Sequence, residues 1–169
     1  LRMPQADPDV LGITVRELLS HTAGFPDHDG TFFANGAMSY ADAARVGLSG
    51  NVGSGGYNYS NMSFAVLSVL VEAVTGKAYE RVVNERLFEP LGISGPRLTS
   101  TYEVGPDEVS HHPLPGRFYM EALGGAGAWN ATPRDLVTIL NSIDPATPGP
   151  KAVNAEHLAG MRYRIPTGQ

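Results

Sequence analysis

The chain has 169 residues and a net charge of −5, from 12 basic and 17 acidic side chains, and it has no cysteine. This length suits one domain, and the acidic balance without a basic patch argues against a nucleic-acid binder. The absence of cysteine excludes a disulfide scaffold and a thiol nucleophile, and the longest apolar stretch, 64–71, is too short for a transmembrane helix of ~20 residues.

Two short helices are predicted in the first third of the chain. Thr14 and Glu17 form a capping-box pattern, in which hydroxyl and carboxylate each accept a hydrogen bond from a free backbone N–H. Gly24 is suited to end this helix. A second helix is predicted to begin at Ser39 and to end near Gly47. The residues between them are rich in Gly, Pro and Asp and indicate a loop.

The longest predicted helix covers residues 60–75. Its apolar residues recur at spacings of three and four, which predicts one buried face: Phe64, Leu67, Val71 and Val74. Gly76 is suited to the C-terminal end. A further helix is predicted over 78–87, since Pro90 disfavours its continuation.

The remaining chain is predicted to contain long irregular connections and two more helices. Repeated Gly and Pro between residues 91 and 117 indicate a loop with short strands at most. The Thr-Pro-Arg-Asp sequence at 132–135 predicts a helix start, with Leu136 and Leu140 on its buried side together with Ile139. Asn154 is suited to cap a last helix over 155–161. The chain is therefore expected to be mainly α.

Several kinds of catalytic site are missing from these residues. The two lysines, Lys77 and Lys151, are preceded three positions earlier by Val74 and Pro148, so the chain has no Ser-x-x-Lys pair. The five histidines show no paired helical spacing that would favour a metal site. Neither a metal nor a cofactor is predicted.

The triplet Tyr59-Ser60-Asn61 can carry chemistry. A Tyr hydroxyl can relay protons, and an Asn amide can both donate to and accept from a bound amide. At the start of a helix, Tyr59 and Asn61 can face one cleft. The structural alternative is that Ser60 or Asn61 only caps the long helix.

Four segments resemble motifs of the β-lactamase-related serine hydrolases, in that family's order. Residues 13–25 resemble I-T-x-R-x-L-L-T-H-T-S-G-L, and residues 59–64 resemble Y-S-N-x-x-[FY]. Residues 88–93 resemble F-x-P-L-G-M, and residues 124–136 resemble the G-G…S-T-x-x-D-L segment. The four matches together span most of the chain.

The resemblance implies an acyl-enzyme mechanism for the parent protein, with a lactam, a D-amino-acid peptide or an ester as substrate. The nucleophile in that family is the serine of Ser-x-x-Lys. Tyr59 matches the family tyrosine that manages the serine's proton, and Asn61 matches the asparagine that holds the substrate amide. Asp27 and His28 match a segment that borders the substrate cleft. The implied partner of the parent is a small-molecule or peptidoglycan-like substrate.

The sequence departs from the family pattern because it has no Ser-x-x-Lys pair and, after the last matched motif, no Lys-Thr-Gly or His-x-Gly strand. We therefore expect residues 1–169 to form a single truncated domain. The expected fold is the helical lobe of the α/β β-lactamase/transpeptidase-like fold, with most of the central sheet missing. Such a fragment is expected to be inactive alone and to self-associate through exposed apolar faces.

A different function is compatible with the same residues. The helical lobe could serve as a non-catalytic binding or scaffold module, and a complete gene without Ser-x-x-Lys would support that interpretation. The sequence predicts no compartment, since family members occur both as exported and as cytoplasmic proteins.

Overall fold

The structure is a computed structural model that describes residues 12–25, 56–100, 103–109 and 123–161. The predicted helix from Ser39, and the residues Asp27 and His28, lie outside these ranges. The described helices are α1 (Val15–Leu19), α2 (Asn61–Thr75), α3 (Tyr79–Val83), α4 (Pro133–Ile143) and α5 (Ala155–Met161). The strands are β1 (Arg97–Leu98) and β2 (Trp129–Asn130). The described part is therefore helix-rich, as the sequence predicts.

Helix α1 begins at the predicted capping box. The Thr14 backbone N–H donates to Glu17 Oε2 at 2.7 Å, and the Glu17 N–H donates to Thr14 Oγ1 at 3.2 Å. The backbone N–H and the hydroxyl of Thr14 both donate to Glu17 Oε2, and these two bonds hold the pKa of the Glu17 carboxyl below its ordinary value. The prediction that Gly24 ends the helix is wrong, because α1 ends at Leu19. The reason is His21, which has a left-handed backbone with φ 57° and cannot continue a right-handed helix.

Helix α2 has the predicted ends. The Ser60 hydroxyl accepts from the Ser63 N–H at 3.2 Å, and Gly76 adopts a left-handed conformation with φ 66°. The predicted buried face is only partly correct, since Val74 is 77% exposed. Small residues occupy most of the buried positions instead: Ser63, Ala65, Ser68 and Val69, together with Met62. Small side chains let neighbouring backbone approach this helix closely.

The predicted helix over 78–87 continues beyond its expected end. Helix α3 passes into a π-helical turn over Asn84–Phe88 and a 3₁₀ turn over Glu89–Leu91. The prediction that Pro90 prevents continuation is wrong, because Pro90 lies in the first turn of the 3₁₀ segment, where its missing N–H costs no hydrogen bond.

An ion-pair cluster lies beside α3. Glu85 accepts hydrogen bonds from Lys77 and Arg81, which lower the pKa of the Glu85 carboxyl to about 2. The cluster connects the turn after α2 to the helical segment that follows it.

Strands β1 and β2 form a two-stranded antiparallel pair, with Arg97 opposite Asn130 and Leu98 opposite Trp129. Arg97 and Asn130 both contact the carboxylate of Glu108, at 3.0 Å and 2.6 Å, and only 6% of the Glu108 side chain is exposed. Strand β2 has only two residues, too few for a period-two sequence pattern, so the sequence did not predict it.

The lone tryptophan, Trp129, is partly buried and packs against neighbouring elements. Its Nε1–H donates to the Gly124 carbonyl at 2.9 Å, and its ring meets Phe88 edge-on at a centroid distance of 5.2 Å. Burial raises the pKa of the neighbouring Tyr79, whose ring lies 6.4 Å from that of Trp129. Trp129 therefore joins β2 to the helical segment over 79–91.

Helix α4 begins at a second capping box, formed by Thr132 and Asp135. Its predicted buried side is wrong for Leu136 and Leu140, which are 53% and 60% exposed. Within the described residues, α4 packs mainly on the 3₁₀ turn, which leaves this apolar face uncovered. Helix α5 begins as predicted, with the Asn154 side chain accepting from the His157 N–H at 2.8 Å.

A small apolar core joins the chain around α1 to α2. Leu18, Ala23 and Phe25 are buried together, and partly buried residues pack against them: Ile13, Val66 and Leu67. This core brings residues 21–25 against the N-terminal half of α2. No single described helix is long and apolar enough to cross a membrane; α2 and the helical segment 79–91 meet that requirement only jointly, as a pair bent by 79°.

Candidate active site

The candidate site forms where the loop after α1 meets the start of α2. The backbone N–H of Asn58 donates to the His21 carbonyl at 2.8 Å. The Asn58 side chain donates to the carbonyl of Phe25 at 2.9 Å, and Phe25 is buried in the core. These two bonds join segments more than thirty residues apart in sequence, so the extended residues before α2 have a defined position.

Ser60 is the buried centre of the Tyr-Ser-Asn triplet. It is 0% exposed, and its hydroxyl caps α2. The capping alternative raised by the sequence therefore describes Ser60 correctly. It leaves Tyr59 and Asn61 on either side of the cap, available for another role.

The structure brings Tyr59 and Asn61 together. The Tyr59 hydroxyl donates to Asn61 Oδ1 at 3.0 Å, and Tyr59 is 50% exposed. An Asn amide also carries two N–H donors, which suit the carbonyl oxygen of a bound amide. The pair thus presents a phenolic hydroxyl and an amide at one accessible position.

His21 packs directly against the Tyr59 ring, a contact that the sequence does not predict. Its ring lies 4.6 Å from the Tyr59 ring, and Phe64 lies on the same imidazole at 5.2 Å. Its Nδ1 accepts from the buried Ser60 N–H at 3.1 Å. From the sequence alone, the five histidines indicate at most a metal site, and their spacing does not favour one. The one available signal was that both His21 and Tyr59 belong to segments resembling motifs of a single family.

A glycine loop approaches α2 beside the site. A Cβ on Gly125 would lie 2.3 Å from the Phe64 carbonyl oxygen and 2.1 Å from Ser68 Oγ. Only glycine allows this separation. The loop over 124–127 is thereby held against α2 one turn beyond Asn61.

The groups in this arrangement are suited to proton transfer and to binding an amide. Within the described ranges, no group of three or more His, Cys, Asp or Glu side chains could hold a metal ion. Both lysines have partners elsewhere: Lys77 pairs with Glu85, and Lys151 donates to the carbonyls of Asn141, Asp144 and Thr147. Nucleophilic catalysis at this site would need a nucleophile and a cation from other residues.

The chain is similar in sequence to a known protein family. A family model described as Beta-lactamase matches residues 3–169. Penicillin-binding protein 4* of Bacillus subtilis (strain 168) is 32% identical over 110 residues, which are 60% of this chain and 24% of that protein. The chain spans about a quarter or less of the length of the curated relatives it matches.

Two solved structures resemble the chain more completely. A D-stereospecific amidohydrolase from Streptomyces sp. superposes with a TM-score of 0.71 at 20% identity, over 92% of this chain and 52% of that one. D-amino acid amidase from Ochrobactrum anthropi SV3 superposes with a TM-score of 0.64 at 25% identity, over 84% of this chain and 46% of that one. The chain is therefore similar in fold to about half of each enzyme.

Proposed function

The chain belongs to the beta-lactamase family, and we propose that it supplies the proton-relay tyrosine and the amide-binding asparagine of an acyl-enzyme hydrolase site. These residues are Tyr59 and Asn61. The observation that carries the proposal is the 3.0 Å hydrogen bond between the Tyr59 hydroxyl and Asn61 Oδ1 at a half-exposed position. Asp27 and His28, outside the described residues, are proposed to contact substrate.

In the proposed reaction, the serine of a Ser-x-x-Lys segment, which these 169 residues do not contain, attacks the substrate carbonyl carbon. A C–O bond to serine forms, the C–N bond of the amide breaks, and the serine proton passes to the leaving amine. Water then attacks the acyl-enzyme and returns a proton to the serine oxygen. Tyr59 relays both protons, and the Asn61 amide N–H groups bind the substrate carbonyl.

We propose the amide of a D-amino acid as the first substrate to test, ahead of a lactam or an ester. Two solved structures that resemble the chain are named as a D-stereospecific amidohydrolase and a D-amino acid amidase. The 169 residues alone are expected to be inactive, because without a Ser-x-x-Lys serine no acyl-enzyme can form.

The test uses the complete gene product that contains these residues. Its activity is measured with D-phenylalanine amide, a chromogenic cephalosporin and p-nitrophenyl acetate. Tyr59→Phe removes the relay hydroxyl and is expected to lower kcat by about 10²–10⁴-fold, the usual contribution of general acid–base catalysis. Asn61→Ala is expected to raise KM as well. Tyr57→Phe, which removes an exposed hydroxyl two residues away, serves as the matched control.

Unchanged turnover in Tyr59→Phe would contradict the proposed role of the hydroxyl. The alternative function, a non-catalytic binding or scaffold module, predicts a different result. In that case the complete gene product binds D-phenylalanine amide without hydrolysing it, and mass spectrometry finds no acyl adduct.

A further inference from the structure

The start of α2 differs from the starts of α1 and α4 in one hydrogen bond. In α1 and α4, an acidic side chain at the third helical position accepts a hydrogen bond from the backbone N–H of the capping residue, at 2.7 Å for Thr14 and 2.9 Å for Thr132. The third helical residue of α2 is Ser63, which has no carboxylate. The Ser60 N–H donates instead to Nδ1 of His21, 39 positions earlier in the chain, at 3.1 Å.

We propose that His21 is a positioning residue for the Tyr59–Asn61 pair, because its imidazole completes the cap of α2 from a distant part of the chain. Nδ1 can accept this hydrogen bond only when it carries no proton, so the geometry assigns the hydrogen of the neutral ring to Nε2. A neutral imidazole makes the capping bond without placing a negative charge beside the Tyr59 hydroxyl.

Further hydrogen bonds of His21 support the positioning role. Its φ of 57° belongs to the end of α1, where the Thr22 N–H donates to the Glu17 carbonyl at 2.9 Å, as in a Schellman motif. Two hydrogen bonds from a distant part of the chain then reach this residue: the Asn58 N–H donates to its carbonyl, and the Ser60 N–H donates to its ring. Both go to the extended segment that carries Tyr59.

The imidazole also orients the Tyr59 side chain. The two rings lie 4.6 Å apart with an interplanar angle of 37°, and Phe64 supports the imidazole at 5.2 Å. This stack determines where the Tyr59 ring lies, and hence where its hydroxyl meets Asn61. His21 therefore orients Tyr59 through its ring and holds the capping residue Ser60 through Nδ1.

Two substitutions separate these contributions. His21→Asn retains an acceptor near the position of Nδ1 and a residue type that tolerates positive φ, but it loses the ring. His21→Phe retains an aromatic ring but loses the acceptor. His157→Phe is the matched control, since His157 lies exposed on α5.

Three measurements on the complete gene product test the proposal. Nitrogen-15 NMR of the unmodified protein should show His21 with Nδ1 unprotonated and Nε2 protonated. Hydrogen exchange at the Ser60 amide should accelerate by about tenfold or more in His21→Phe and change about threefold or less in His21→Asn. The kcat of His21→Phe should fall by about tenfold or more at nearly constant KM, with His21→Asn retaining more activity.

The outcomes of these measurements distinguish the positioning role of His21 from the proposed function. Only the expected change in kcat rests on the proposed function. Two results would overturn the positioning role whether or not the protein is a hydrolase. One is a protonated Nδ1 in the unmodified protein. The other is an equal rate of hydrogen exchange at the Ser60 amide in His21→Phe and in the unmodified protein. If hydrolysis is absent while both NMR results are as expected, the proposed function fails and the positioning role stands. If His21→Phe does not fold, the tautomer measurement on the unmodified protein still decides.

Discussion

Replacing Gly125 by alanine should measure how tightly the glycine loop is held against α2. The new Cβ would lie 2.3 Å from the Phe64 carbonyl oxygen and 2.1 Å from Ser68 Oγ. Since non-bonded carbon atoms are most favourably placed at ~3.5–4.0 Å, the loop has to move by about 1 Å. The Ser68 side chain can rotate, but the Phe64 carbonyl belongs to the backbone of α2 and cannot. Overpacking of this kind costs about 1–3 kcal/mol in the free energy of unfolding.

Urea denaturation followed by circular dichroism gives this free energy for the unmodified protein and for Gly125→Ala. Ser68→Ala in the Gly125→Ala background should recover only part of the loss, because the contact with the Phe64 carbonyl remains. Gly160→Ala is the matched control. A Cβ there meets nothing within 4 Å, and alanine in a helix should stabilise by about 0.5–1 kcal/mol. If Gly125→Ala is as stable as the unmodified protein, the loop over 124–127 does not lie this close to α2, and the expected overpacking is refuted.

Three further results are expected. Thr132→Ala removes the cap of α4 and should lower the free energy of unfolding by about 1 kcal/mol, with Thr138→Ala inside the same helix as a control for the loss of a hydroxyl. The pKa of Glu85 is about 2 in the folded chain against an ordinary 4.5, so its contribution to stability is complete above pH 4.5 and is lost as the pH falls toward 2. Glu85→Gln should therefore flatten the loss of stability between pH 5 and pH 3, and an unchanged slope would argue against the ion pairs. Trp129→Phe removes the hydrogen bond to Gly124 and should cost about 1 kcal/mol or more, seen as a lower urea midpoint by circular dichroism; an unchanged midpoint would contradict this packing.

Local chemistry explains which elements the sequence predicted well. The caps at Thr14, Ser60, Thr132 and Asn154 and the stop at Gly76 involve residues within a few positions of one another. Side chain and backbone there are connected by a short stretch of chain, so the residue types alone determine the hydrogen bond. The helix starts after those caps were accordingly predicted correctly.

Burial was predicted less well because it depends on what lies opposite each helix. The spacing of Leu136 and Leu140 predicted a buried face on α4, yet both are more than half exposed. The small residues of α2 gave no strong apolar signal, although Ala65 and Ser68 lie at its buried side. Hydrophobic periodicity identifies a face suited to burial, but a neighbouring element has to cover it.

The sequence by itself determined the helix starts, the family resemblance and the choice of Tyr59 and Asn61 as the candidate pair, since all of these follow from residue types at short spacing. Only the tertiary structure placed the Tyr59 hydroxyl on the Asn61 amide and revealed His21 as the partner of Ser60. For His21 and Ser60 the physical reason is that residues 39 positions apart form a hydrogen bond only after a core has brought them together. Here that core is built around Leu18, Ala23 and Phe25.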